Sequence, residues 1–136
     1  MISLTKEFLL IEKEQDVILF RNRLKEMSVR IGMSLVNQTK LITAASELVR
    51  NMLKFANGGK TIIEIISEGR NTGIRIVFED KGPGIPDISL AMKDGFSTAK
   101  SLGLGLPGAR RLVNEFEIKS VVNQGTTVTI VRWKNG

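Results

Sequence analysis

Glu79-Asp80-Lys81-Gly82-Pro83-Gly84-Ile85-Pro86 stands between an alternating apolar run, Ile74, Ile76 and Phe78, and a short helix expected over Asp87 to Met92. The alternation predicts a strand with one buried face, so a carboxylate is left standing where a sheet stops. Two glycines and two prolines follow it, and that composition turns a backbone sharply while holding one shape. Such a corner suits an adenine ring: Asp80 can accept a hydrogen bond from the exocyclic amine, and Gly82 and Gly84 would clear space beside the ring. A strand, a polar turn and a helix cap would leave the same letters. The flanking chain must decide.

Upstream, Phe8-Leu9-Leu10-Ile11 predicts a strand, and Asp16 is positioned to cap a helix carrying Val17, Phe20, Leu24, Met27 and Ile31 at helical spacing up to Gly32. Ser34 offers the next cap. The helix it opens has a core stripe of Leu41, Ala45, Leu48, Met52 and Phe55 and stops at Asn57-Gly58-Gly59. Glu47 and Asn51 lie four residues apart on that helix, hence on one face beside the small Ala44. A carboxylate can take a proton or orient a nucleophile, and an amide oxygen is a hard ligand suited to Mg²⁺. A solvated pair on a helix surface would have the same spacing.

Thr61 to Ser67 is rich in β-branched residues and is expected to pair with Gly73 to Glu79 through the turn at Gly69-Arg70-Asn71-Thr72. Downstream, Asp94 to Ser101 forms a polar lid-like segment that leads into Gly103-Leu104-Gly105-Leu106-Pro107-Gly108, with a third long helix expected through Leu106, Ala109, Leu112 and Val113. Glycines and hydroxyls that feed a helix N-terminus favour phosphate, and Lys100 supplies a cation nearby. Ile118 to Val122 and Thr126 to Trp133, joined at Asn123-Gln124-Gly125, predict a closing hairpin of an antiparallel sheet.

The whole chain of 136 residues is expected to form one domain. It contains neither Cys nor His. That excludes a disulfide framework, a Cys or His metal site, a cysteine nucleophile and a serine-histidine triad. No apolar run is long enough to span a bilayer and the N-terminus lacks the layout of a signal peptide, so a cytoplasmic protein is expected. A net charge of +6 favours anionic partners. The cations are scattered and do not interleave with aromatic residues, which argues against nucleic acid.

Gly103 to Gly108 fits G-x-G-x-x-G, yet no strand directly precedes it within a βαβ unit, as a dinucleotide fold requires. There is no His-Arg-Asp loop of a eukaryotic-type kinase and no Gly-Lys-Ser/Thr of a phosphate-binding P-loop. Four pieces do occur in order: Glu47-x-x-x-Asn51, Asp80-x-Gly82-x-Gly84, Gly103-x-Gly105 and Gly125-Thr126. Together they resemble the N, G1, G2 and G3 boxes of the Bergerat-fold (GHKL) ATPases. Within that superfamily the chain is most similar to the anti-sigma-factor serine kinases, through Asp94-Gly95-Phe96-Ser97-Thr98 and Leu106-Pro107-Gly108 as well as the boxes.

The resemblance implies an α+β fold, a two-layer α/β sandwich whose mixed, mostly antiparallel sheet is covered on one face by helices. It implies ATP as phosphate donor and Mg²⁺. Asp80 would hold the adenine amine with Thr126 in support, Asn51 would ligate Mg²⁺, Glu47 would act as general base or orient the attacking hydroxyl, and Gly103 and Gly105 with Lys100 would cradle phosphates. The implied substrate is a serine on a STAS-domain antagonist within a stressosome-like complex. A PP2C-type phosphatase would be activated once the kinase is released. The competing expectation is a nucleotide-binding switch or anti-sigma factor that acts on a sigma factor by binding alone. A detached histidine-kinase domain or a gyrase-like ATPase lacks, respectively, a phosphorylatable histidine and a transducer domain in this sequence.

Overall fold

The computed structural model describes residues 1–93 and 105–136. Strand β1 (Ile2–Ile11) leads into helices α1 (Glu14–Arg30) and α2 (Leu35–Ala56). A hairpin of β2 (Gly59–Glu68) and β3 (Asn71–Asp80) follows, then the short α3 (Ile88–Ala91), α4 (Gly105–Arg111), and a second hairpin of β4 (Glu115–Val121) and β5 (Gly125–Trp133). The sheet runs β1-β2-β3-β5-β4. The expected mostly antiparallel sheet is antiparallel at all four pairings. Two hairpins supply two of those pairings directly, and the α1–α2 excursion returns the chain beside β1.

Side chains alternate across each strand, and the register sorts them. Ile63 lies opposite Ile76, and Ile76 opposite Ile130. Leu9, Ile63, Ile65, Ile74, Ile76, Phe78, Val128 and Ile130 face the helices and join one core with Phe20, Leu24 and Met27 of α1 and Leu41, Ala45, Leu48 and Met52 of α2. The Phe20 and Phe78 rings meet at 6.0 Å between centroids. Fully burying side chains of this size contributes about 1.5–3 kcal/mol each, so the sheet and its helical cover hold each other in place.

Several local expectations change. β1 starts at Ile2 rather than Phe8, because an edge strand is held by its partner β2 while Ile2 and Leu4 stay exposed. Helix α1 starts at Glu14, and Asp16 stands inside the first turn, where its Oδ2 accepts the amides of Glu12 at 2.9 Å and Lys13 at 3.1 Å. Ser34 caps α2 as expected, accepting the Asn37 amide at 3.2 Å, and Asn57 ends it in a left-handed conformation. Helix α4 stops at Arg111, so the expected long third helix is short and Val113 lies beyond it. The lid-like segment Asp94 to Ser101 and the first glycine of the G-x-G-x-x-G stretch lie outside the described residues. No described helix is long and apolar enough to cross a membrane, which says nothing of spans made by strands.

The uncovered face of the sheet carries a charged row, with Lys6 opposite Glu64 and Glu64 opposite Arg75. Glu64 is buried there, at 3% exposure, and Arg75 donates to both its oxygens at 3.1 and 3.0 Å. Burial pushes the Glu64 carboxyl up, but hydrogen bonds from Arg75 and Ser3 and the charges of Arg75 and Lys6 outweigh it and hold the group below its ordinary value of 4.5. A carboxyl that is more acidic in the fold than in the unfolded chain stabilises fully above its unfolded value and loses that contribution as pH falls through the lowered one. Glu64→Gln should therefore cost about 1–3 kcal/mol at neutral pH. In melting scans between about pH 3 and 6 the gap between variant and parent should narrow on acidification. A gap independent of pH would refute the ionic account.

Candidate functional site

On β3, Asp80 has the same parity as Ile74, Ile76 and Phe78, so it faces the helical layer. The register sets it opposite Thr126 of β5, and Thr126 opposite Ser120 of β4. Three polar residues therefore form a line across three strands at the end of the core. Asp80 Oδ1 accepts the amides of Gly82 at 2.9 Å and Thr126 at 3.2 Å. Both use the same oxygen, and among the described residues no hydrogen bond reaches Oδ2. The Ser120 hydroxyl accepts the Ile85 amide at 2.7 Å and donates to the Gly125 carbonyl at 3.2 Å. The Ser120 and Thr126 hydroxyls also meet at 2.8 Å, a contact in which either can donate. In both arrangements Thr126 Oγ1 keeps a lone pair for a ligand.

The corner after Asp80 is pinned to the β4–β5 hairpin by that Ile85 bond and by the Asn123 amide on the Pro83 carbonyl at 2.7 Å. The two glycines were expected to clear room for a ring, and the space they clear is taken by protein instead. A Cβ on Gly82 would fall 2.6 Å from Ala56 Cβ, and one on Gly84, which has φ +77°, would fall 2.4 Å from the Val121 carbonyl oxygen. Glycine is required because α2 and the hairpin crowd the corner. Its effect on a ligand is indirect: it draws Asp80 close to α2.

Beside this line lies a cavity of about 250 Å³. Its walls are Leu48, Asn51, Met52, Phe55 and Ala56 of α2, Phe78 and Asp80 of β3, Pro83 to Ile85 of the corner, Ala91, Gly105 to Pro107 at the start of α4, and Thr126 and Val128 of β5. The lining is mainly apolar, with Asp80, Thr126 and Asn51 as its polar side chains. Ligand pockets commonly measure ~300–1,000 Å³, so this one accommodates a flat heterocycle rather than a whole nucleoside triphosphate. Phe55 belongs here: read as core from its spacing, it is 46% exposed and forms part of the cavity wall.

A second cavity, of about 590 Å³, is bounded by Lys13 and Glu14 at the start of α1 and by Glu47, Arg50, Asn51, Leu53 and Lys54 of α2. Asn51 lines both cavities, whereas Glu47 lines only the second. The sequence-predicted residues therefore fall into distinct places. Asp80, Gly84, Gly105, Thr126 and Asn51 share the first cavity, Glu47 lies one turn from Asn51 in the second, and Gly82 packs against α2. Lys100 and Gly103 lie outside the described residues. No group of three or more Asp or Glu able to hold a metal ion occurs among the described residues. The Asn51 carboxamide, which no described hydrogen bond engages, offers a single hard oxygen. That matches Mg²⁺, which usually keeps several waters and takes only one or two protein ligands beside substrate phosphates.

Residues 36–135 match the family model for histidine kinase-, DNA gyrase B- and HSP90-like ATPases. The serine/threonine-protein kinase RsbT of Bacillus subtilis is 41% identical over 120 residues, covering 88% of this chain and 90% of that protein. The anti-sigma F factor of Geobacillus stearothermophilus is 34% identical over 98 residues, 66% of this chain and 65% of that protein. Among solved structures, the RsbU and RsbW domains of Rv1364c from Mycobacterium tuberculosis superpose with a TM-score of 0.64 at 20% identity, over 94% of this chain and 32% of the other. At that identity the superposition speaks for the fold alone. The chain belongs to the histidine kinase-, DNA gyrase B- and HSP90-like (GHKL) ATPase family and, within it, to the ATP-binding serine/threonine-protein kinases of the RsbT and anti-sigma-factor group.

Proposed function

We propose that residues 1–136 act as one kinase domain that transfers the γ-phosphate of ATP to a serine of a STAS-domain antagonist protein, as a component of a cytoplasmic partner-switching pathway. The observation that carries this reading is the Asp80 carboxylate. One of its oxygens accepts two backbone amides, the other accepts no described hydrogen bond, and the residue lines an apolar cavity that fits a base. Adenine presents a donor amine to that oxygen, with the Thr126 lone pair available for a water or ring atom. Asn51, which lines both cavities, would hold Mg²⁺, which when bound neutralises phosphate charge and aligns the phosphates. Glu47, one turn away, accepts the proton of the serine hydroxyl as its oxygen bonds to the γ-phosphorus and the bond to the β-phosphate oxygen breaks, releasing ADP. Such a transfer needs mainly alignment and charge neutralisation, which side chains other than His and Cys can provide. Gly103, Gly105 and Lys100 would close over the phosphates.

After transfer the kinase leaves the antagonist and activates a PP2C-type phosphatase. Support for this step comes from the 41% identity to the serine/threonine-protein kinase RsbT over most of both chains. The anti-sigma F relatives favour a second reading in which the chain captures a sigma factor by binding alone.

The first test is thermal unfolding with Mg-ATP against Mg-GTP. Guanine places a carbonyl where adenine has its amine, setting acceptor against acceptor at Asp80. ATP at about 100 times its dissociation constant should stabilise by about 2.7 kcal/mol, and GTP at the same concentration should produce little change. Equal stabilisation by the two would remove Asp80 from the base contact. Phosphoserine formation on the partner STAS protein completes the test.

A further inference from the structure

Besides Glu47 and Asn51, the second cavity carries cations that the contact with the base does not use. Glu47, Arg50, Asn51 and Lys54 follow one another at helical spacing along a single stripe of α2. Lys13, at the start of α1, faces that stripe from the other wall. Among the described residues, none of Lys13, Arg50 and Lys54 has an ion-pair partner, and the Lys54 ammonium instead sits 5.4 Å from the centre of the Phe55 ring. None of the three lines the base cavity. Two carboxylates share the lining, Glu14 in the first turn of α1, where the helix dipole favours negative charge, and Glu47, the proton acceptor of the reading above, so the cations outnumber them three to two. What remains at the mouth is a basic rim around the group that must meet the acceptor hydroxyl.

Resting on that reading, we propose that this second cavity seats the phosphoacceptor segment of the protein substrate, and that Lys13, Arg50 and Lys54 select segments with carboxylates beside the serine. A cavity of about 590 Å³ lies within the ~300–1,000 Å³ usual for ligand sites. It can take a short stretch of chain, and α1 and α2 flank that stretch with cations on both sides. Complementary charge sets specificity and encounter rate more than raw affinity, which suits a substrate that must leave after each turnover.

The test uses the full chain loaded with ADP and Mg²⁺ and fluorescently labelled serine peptides of equal length carrying two aspartates, two alanines or two lysines on each side of the serine. Fluorescence polarisation should show the acidic peptide binding at least about tenfold tighter than the basic one, with the preference shrinking as salt rises. Lys13→Ala, Arg50→Ala and Lys54→Ala combined should abolish the preference while leaving the melting shift with ADP unchanged. Failure of the acidic peptide to bind, or equal binding of all three peptides, overturns the proposal. Loss of the ADP shift in the triple variant also overturns it, by reassigning the cations to the nucleotide phosphates. Failure of the nucleotide reading itself would show separately, as absent ATP stabilisation in the unsubstituted chain.

Discussion

Asp80→Asn is expected to abolish nucleotide binding while leaving the fold intact. The carboxylate lines the cavity and divides its work: Oδ1 accepts the Gly82 and Thr126 amides, and Oδ2, which no described hydrogen bond reaches, is left for the base. An asparagine retains one acceptor. The two backbone donors fix its orientation, because turning the amide nitrogen toward them would leave three N–H groups facing one another. The carboxamide oxygen therefore takes the place of Oδ1, and its NH₂ points at the position of the adenine amine, donor against donor. The corner keeps its hydrogen bonds and the ligand loses its own. Losing a hydrogen bond to a charged acceptor and leaving the amine unpaired costs about 3 kcal/mol, roughly a hundredfold or more in affinity. Isothermal titration with ATP should register that loss, while the melting temperature without nucleotide stays within a few degrees of the parent. Unchanged affinity would mean that the base is held elsewhere.

That division of labour was only half legible in the sequence. The parity of Ile74, Ile76, Phe78 and Asp80 is enough to put the carboxylate on the core face of a strand end, and the step of four between Glu47 and Asn51 is enough to put them on one helix face. Ser120 gave no such signal. It is one hydroxyl in an alternating strand, and only the antiparallel register of β4 on β5 brings it under the Ile85 amide and beside Thr126. The glycines were legible as necessary, but the reason was hidden, since the clash that excludes a side chain at Gly82 or Gly84 is with α2 or β4, both distant in sequence.

Edges and ends were read less well than the centre. Leu41, Ala45, Leu48 and Met52 are core as their spacing implies, but the same period carried on to Phe55 describes a cavity wall. Periodicity reports which residues share a face and is silent on whether that face is filled. The sequence shows only the second half of β1 because its first half gives no clean alternation: Ile2 and Leu4 are exposed and the register shifts between Ser3 and Thr5, so hydropathy does not track burial there. Arg132 illustrates the reverse. Its parity with Val128 and Ile130 places a guanidinium on the core face, and it is buried there, donating to Asn37 Oδ1 at 2.7 Å and to the Gly136 carbonyl at 2.8 Å. It also reaches the Leu112 carbonyl at 3.4 Å, so the end of α4 is tied to the start of α2. A charge at a core-parity position of a strand is a readable sign of such a link, though its partners are not.

Glu47→Gln tests the other half of the site, and it separates catalysis from binding. Glutamine keeps the shape and the hydrogen-bonding reach of glutamate but cannot accept a proton. Glu47 does not line the base cavity, so ATP-dependent stabilisation should match the parent within error. Partner binding should also persist, because glutamine keeps the shape of the second cavity's wall and leaves Lys13, Arg50 and Lys54 in place. What should fall is the transfer step: a positioned general base contributes roughly 10²–10⁴-fold, and single-turnover phosphorylation of the STAS partner should slow by at least about a hundredfold. Transfer at the parental rate would show that the hydroxyl proton goes elsewhere and that Glu47 only helps shape the second cavity. The same variant in cells decides between the two functional readings. A pathway that needs phosphate transfer fails with Glu47→Gln, whereas one that needs only a nucleotide-loaded binding partner continues, because everything that holds the base, Asp80 with its paired amides and the apolar walls around it, is untouched by the change.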